Sequence, residues 1–157
     1  MTRWLDEKQQ RIWRNYLTAT QLLEDALNKE LQSAVGITLG DYEILVRLSE
    51  SPNRQIRMSE LAKQVVISRS RLTHQIDRME KAGLVKREVC EDDKRGQFAV
   101  MTDGGWKLLV EAAHVHVSGV RNHFVDQLTP AEYESLGKAV NKLAVHLDEG
   151  NETSKAK

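Results

Sequence analysis

A single cysteine, Cys90, among 157 residues rules out an internal disulfide and every metal motif built on several cysteines. No run approaches the roughly 18 consecutive apolar residues of a membrane-crossing helix. The first residues, Met1 to Gln10, lack the apolar stretch of a secretory signal, so a cytoplasmic protein is expected. Histidines are present, but His114 and His116 are two residues apart, which a helix points to nearly opposite sides. Neither they nor His123 and His146 form the i, i+4 pair that a helical metal site uses, so neither metal nor cofactor is expected. Catalytic signatures are missing too. A hydrolase using Cys90 or a serine with one of the histidines would need a nucleophile elbow or a related motif, and there is also no phosphate loop or paired-carboxylate motif, so no enzyme is expected.

Net charge is the last absence, with 23 Lys and Arg against 23 Asp and Glu. Its distribution is uneven: residues 54–95 hold 11 basic and 7 acidic side chains, and the remainder 12 and 16. A basic segment on an otherwise acidic body orients a molecule towards phosphates while limiting indiscriminate adhesion. With 40% apolar and 29% charged residues, the chain has the composition of one ordinary soluble domain able to bury a core.

What is present is mostly helical periodicity. From Asp6 to about Leu31, Ile12, Tyr16, Ala19, Leu23 and Ala26 form one apolar stripe and Trp13, Leu17, Leu27 and Leu31 a second, with Gly36 as the stop. One stripe suffices for a lone domain; two suggest packing against another chain. Thr38-Leu-Gly-Asp41 is laid out as a capping box, followed by Tyr42, Leu45, Val46 and Leu48 at helical spacing and an end near Ser51-Pro-Asn53. A short extended piece, residues 55–58, leads to Ser59 as the cap of a brief helix over 60–65. Ser68 caps the next, in which Leu72, Ile76 and Met79 form the buried stripe and Gly83 takes the left-handed position past the end. Val85, Arg87 and Val89, then Phe98 and Val100, alternate as two half-buried strands around the charged tip Glu91-Asp-Asp-Lys-Arg-Gly96. Thr102 caps a fifth helix running through Trp106, Leu109, Val110, Ala113, Val117, Val120 and Phe124, with Gly104-Gly105 as a weak point in its first turn. Thr129, Pro130 and Glu132 start a sixth, with Leu128 stapled to Tyr133 and an apolar stripe through Leu136, Val140, Leu143, Ala144 and Leu147. Residues 150–157 read as a polar, disordered tail.

The segment from Met58 to Val85 thus reads as two short helices joined by a tight turn, the second polar and basic on its open side, with a hairpin wing beyond. That is how a protein presents a helix to a DNA groove. On this reading Arg71 donates a forked pair to guanine and Gln75 pairs with adenine, while Ser70, Thr73 and His74 reach base edges or phosphate. Ser68 and Arg69 at the helix start are better placed for phosphate. Arg78 either joins them or pairs with a nearby acid such as Asp77 or Glu80.

The strings Trp13-Arg-Asn-Tyr-Leu17, Thr38-Leu-Gly-Asp-Tyr42, Met58-Ser-Glu-Leu-Ala62, Ser68-Arg-Ser-Arg-Leu-Thr73, Asp77-Arg-Met-Glu-Lys-Ala-Gly-Leu-Val85, Asp93-Lys-Arg-Gly96 and Met101-Thr-Asp-Gly-Gly105, in this order and spacing, resemble the multiple-antibiotic-resistance regulator (MarR) family of bacterial transcription factors. The resemblance covers nearly the whole chain. It implies a mainly α fold with a small β-wing: a winged helix-turn-helix lobe over 38–101 and long dimerisation helices over 5–35 and 102–149. It implies a homodimer on a pseudo-palindromic operator, acting as a repressor. Arg95 would enter a minor groove with Asp93 orienting it and Lys94 touching backbone. The family often has a small residue at the place of Arg71 and Arg or Lys at that of His74, so its base preference does not carry over. A small aromatic or phenolic effector is implied in a cleft for which Trp13, Tyr16 and Tyr42 are candidates, core packing being their other role. Two alternatives stand beside this: redox sensing through Cys90, set beside Lys86 and Arg87, and a winged-helix module that binds protein rather than DNA.

Overall fold

Local capping sets the frame. In the computed structural model, which describes residues 1–90 and 96–155, Asp6 accepts from the Gln9 N–H at 2.8 Å while Gln9 returns a contact to the Asp6 N–H, and α1 (Glu7–Val35) follows. Gly36, at φ 75°, ends it in the left-handed region. Thr38 and Asp41 make the reciprocal capping box as read from the sequence, starting α2 (Leu39–Glu50). A short 3-10 turn, Pro52–Arg54, then carries Asn53 and Arg54 at positive φ and lays the Arg54 guanidinium 4.1 Å over the Trp106 ring.

The chain enters β1 (Gln55–Arg57) and passes directly into α3 (Met58–Gln64). Ser59 is therefore not the cap expected of it, because Met58 is already helical, and Arg57 stands at the N-cap without a side-chain bond. Next come α4 (Arg69–Lys81), β2 (Val85–Val89), β3 (Gln97–Met101), α5 (Asp103–His123) and α6 (Pro130–Lys155). The wing residues Asp93, Lys94 and Arg95 lie outside the described residues.

The strands form an antiparallel sheet in the order β1-β3-β2, with Ile56 opposite Ala99 and Arg87 opposite Ala99 from the other side. The expected hairpin thus gains a third strand, which makes β3 central. Ala99, Val100 and Met101 are consequently all buried, where alternation between Phe98 and Val100 was expected, while Val89 at the end of edge strand β2 is exposed.

The chain divides into two units, Met1–Gly119 and Val120–Lys157. In the first, Leu31, Ile44, Leu45, Leu48, Leu61, Leu72, Ile76, Met79 and Val85 are fully buried side chains of one core. The N-terminal half of α1 stays outside it, leaving Ile12, Trp13, Tyr16 and Leu17 exposed. In the second unit, Thr129 and Glu132 cap α6 reciprocally, and those bonds from Thr129 draw the Glu132 carboxyl below its ordinary range. Tyr133 meets the Phe124 ring edge-on at 5.8 Å. α6 runs through Gly150 to Lys155, since one interior glycine costs only about 1 kcal/mol and does not break a long helix. Tyr133, Val140, Leu143, Val145 and Leu147 are exposed along it. No helix among the described residues is long and apolar enough to cross a membrane.

Candidate nucleic-acid interface

The reading face is built on α4. Ser68 Oγ accepts from the Arg71 N–H at 3.2 Å, and the Leu84 N–H returns to the Met79 carbonyl beyond Gly83, so both ends of the helix are closed. Leu72, Ile76 and Met79 turn into the core, as their spacing requires, and Ser68, Arg69, Ser70, Arg71, Thr73, His74 and Arg78 remain exposed. Thr73 gives its hydroxyl proton to the Arg69 carbonyl at 2.9 Å, and Ser68 and Ser70 lie 3.2 Å apart through their hydroxyls. The side chains of Arg69, Arg71 and His74 make no hydrogen bond or ion pair with another described residue. A cation left unpaired on a capped helix has its donors available for an anionic partner.

Gln75 has a partner that the sequence did not announce. It is half-buried, and its Nε2 donates to Asp41 Oδ1 at 3.1 Å, tying it to the start of α2. Arg78 lies 3.7 Å from the same oxygen while staying mostly exposed, and it is not paired with Asp77 or Glu80. Those two acids are taken by Arg87, whose guanidinium reaches Asp77 Oδ1 at 2.6 Å, Glu80 Oε2 at 2.7 Å and the Thr73 carbonyl at 3.2 Å. Glu80 also accepts from the Arg87 N–H at 3.0 Å. This brace fastens β2 to α4 and offsets part of the negative charge of the two carboxylates.

Two further residues, which the sequence reading did not place at this face, lie beside α4. Arg57 and Ser59 line a hollow of about 360 Å³ with Arg69, Thr73 and Gln97, and the Arg57 guanidinium lies 5.5 Å from the Phe98 ring centroid. The only signal available was a basic residue at a strand-to-helix junction, which is common.

Cys90 is 1% exposed at the end of β2, its N–H donating to the Gly96 carbonyl at 3.0 Å. A redox-sensing thiol must be accessible to its oxidant, and this burial counts against the redox alternative. Among the described residues no group of three His, Cys, Asp or Glu is placed to hold a metal ion.

Trp13, Tyr16 and Tyr42 are not brought together. Trp13 and Tyr16 stack on each other at 6.0 Å on the exposed part of α1, whereas Tyr42 is buried with its ring 4.5 Å from that of His116. Helical spacing alone could not tell these faces apart. A cleft of about 720 Å³ lies elsewhere, between α1 at Gln21 to Asn28, the start of α2, and the α4 side chains Arg71, His74, Gln75 and Arg78.

Burial beside Tyr42 lowers the pKa of His116 from 6.5 and raises that of Tyr42. The folded chain therefore resists a proton that the unfolded chain accepts, so stability should fall as pH drops through about 6.5 until the folded imidazole also titrates. His116→Phe is expected to flatten that part of the curve, as read by urea unfolding between about pH 5 and 8. An unchanged slope would assign the acid sensitivity to other groups.

Comparison with known proteins agrees with this geometry. Residues 37–96 match the model of the MarR family. Sco3205, a MarR family transcriptional regulator from Streptomyces coelicolor whose structure is in complex with DNA, is 47% identical, with a TM-score of 0.88 over 92% of this chain and 90% of that one. AbsC, a MarR family transcriptional regulator from the same organism, is 49% identical, with a TM-score of 0.88 over 94% of this chain and 99% of that one. The transcriptional regulator HosA from Escherichia coli is 30% identical over 107 residues, 68% of this chain and 77% of HosA. A capped polar helix on a three-stranded winged core, matched over nearly its whole length by Sco3205 and AbsC, places this chain in the MarR family of winged-helix transcriptional regulators.

Proposed function

We propose that the chain binds a pseudo-palindromic DNA operator as a homodimer and represses transcription there. The observation that carries this is the outer face of α4, where Arg69, Arg71 and His74 stand exposed without a described partner on a helix locked at both ends. Arg71 is assigned to a guanine edge, His74 and Ser70 to base edges or phosphate, and Ser68, Arg69 and Thr73 to phosphate near the helix start. Arg57 and Ser59 extend the phosphate track along the hollow they share with Arg69. The DNA complex of Sco3205 supports the same use of the fold.

Symmetry follows from the exposed apolar side chains. Those on α1 (Ile12, Trp13, Tyr16, Leu17) and α6 (Val140, Leu143, Leu147) are too many for a lone chain in water, and segments 5–35 and 102–149 are assigned to a twofold interface that covers them. Two reading helices then sit about 34–36 Å apart, one turn of duplex.

The 720 Å³ cleft is assigned to a small-molecule effector. Its lining sets Leu39, Ile44, Val65 and Ile67 beside Arg71, His74 and Arg78 of α4, with Glu24, Asp25 and Glu43 on the other walls, so a small aromatic acid would lay its body on the apolar part and its anionic edge against α4, away from the three carboxylates. A ligand there touches the reading helix itself. Coupling of about 1–3 kcal/mol changes DNA affinity some 5 to 150-fold.

Arg71→Ala is expected to weaken operator binding by about 1–3 kcal/mol and to relax selectivity at one base pair per half-site. Selection of bound sequences from random duplexes, followed by fluorescence anisotropy, reads both. Unchanged affinity and base preference would remove Arg71 from the interface, and binding indifferent to salt would favour a protein partner over DNA.

A further inference from the structure

Asp41 is the one buried charged residue among those described, 9% exposed, and both of its oxygens are committed. Oδ2 accepts from the Thr38 N–H at 3.0 Å and completes the cap of α2, while Oδ1 accepts from Gln75 Nε2 at 3.1 Å and lies 3.7 Å from Arg78 Nη2. Gly40 stands beside this contact. A Cβ at that position would lie 2.7 Å from Gln75 Nε2, so the amide in its present place requires that residue 40 carry no side chain, and any Cβ there would make it shift. Glycine is otherwise a poor choice in the first turn of a helix, and its presence here needs a reason. The same turn is fastened to α1 by the Leu39 N–H, which donates to Asn28 Oδ1 at 2.9 Å.

From these contacts we infer that Gly40, Asp41 and Gln75 form a clasp that fixes the pose of α4 for reading DNA. Asp41 is a positioning residue in this scheme, and Gln75 acts through the clasp instead of on a base. Three features favour it over a surface accident. The acceptor is a buried carboxylate, for which each lost partner is costly. The donor comes from 34 residues away and joins two elements that differ in role. Residue 40 has no side chain to crowd it, since a Cβ there would stand 2.7 Å from Gln75 Nε2 and oblige the amide to shift. The consequence is rigidity: a reading helix held at one azimuth makes its base contacts without first losing freedom, whereas an unclasped one must be ordered on the operator.

The inference rests on the DNA-binding reading above, and its test separates the two. Gly40→Ala sets a methyl against the Gln75 amide and makes it shift while sparing the Asp41 cap, and the helix propensity gained at residue 40 offsets part of the lost contact, so its thermal midpoint should stay close to that of the parent. Its affinity for the selected operator should nevertheless fall about tenfold, the scale of one hydrogen bond to a charged group, with affinity for unrelated duplex unchanged. Gln75→Ala should lose a similar amount while keeping the parent's base preference at every position, and the pair of substitutions together should be no weaker than either alone. Parental operator affinity in Gly40→Ala overturns the clasp. So does loss of preference at one base pair per half-site in Gln75→Ala, which would return that side chain to direct reading. A parent chain without sequence preference overturns the DNA reading itself, and with it any part the clasp has in reading.

Discussion

A chain ended after Leu128 is expected to sediment as a monomer, or to precipitate, and to bind a two-half-site duplex at least about a hundredfold more weakly than the full chain. The argument starts from α6. Tyr133, Val140, Leu143, Val145 and Leu147 each leave roughly half of their surface in water, and covering those surfaces is worth on the order of 5 kcal/mol per chain. The exposed residues on α1, including Trp13 and Tyr16, lose their covering with it if the interface interlocks. Operator affinity then falls for a separate reason: two reading helices on one rigid scaffold bind the second half-site as an intramolecular event, an advantage of about 10² to 10⁴ that a monomer forfeits. Sedimentation velocity reports the assembly, and anisotropy on duplexes bearing one or two half-sites reports the avidity. A well-behaved dimer with full affinity from the shortened chain would refute the assignment of α6 to the interface.

How far the sequence led depended on the range of the interaction concerned. The caps at Thr38, Ser68, Thr102 and Thr129 are three-residue devices, and each appears in the structure as read, because donor and acceptor are fixed by local geometry alone. The stripe Leu72, Ile76, Met79 is equally local, and it told which side of α4 would face outward. What escaped was set by distant partners. Nothing near Gln75 announces Asp41, and nothing near Arg87, read only as a strand residue, announces that Asp77 and Glu80 will converge on it. The third strand escaped for the same cause: three residues at 55–57 acquire their identity only by pairing with Phe98 to Val100. Aromatic residues at helical spacing gave Trp13, Tyr16 and Tyr42 a common appearance, yet two stack in the open and one is buried, a difference that belongs to what each helix packs against.

Gly105→Ala is expected to destabilise the fold by about 3 kcal/mol, the upper end for overpacking, although the same change in an isolated helix would help. By propensity alone Gly104-Gly105 is a weakness in the first turn of α5. The structure reverses that reading. A Cβ on residue 105 would run into the carbonyl oxygen of Leu84 and approach Met101 Cγ within 2.9 Å, and the first obstacle is main chain that cannot swing aside. The Leu84 carbonyl is itself held, accepting from the Thr102 N–H at 3.1 Å, while Thr102 Oγ1 donates to the Gly83 carbonyl at 2.6 Å and accepts from the Gly105 N–H at 3.0 Å. The start of α5 is thereby laid against the turn that ends α4 and opens β2, so a displaced first turn would shift both the reading helix and the wing. The loss should therefore appear twice, as a lower urea midpoint and as weaker operator binding at temperatures where the variant is still folded. Gly104→Ala serves as the control, since a Cβ there meets its nearest neighbour, the Gly83 carbonyl, at 3.3 Å, a contact that a small shift relieves. Gly105→Ala matching Gly104→Ala in both measurements would mean that the junction yields where the close approach says it cannot.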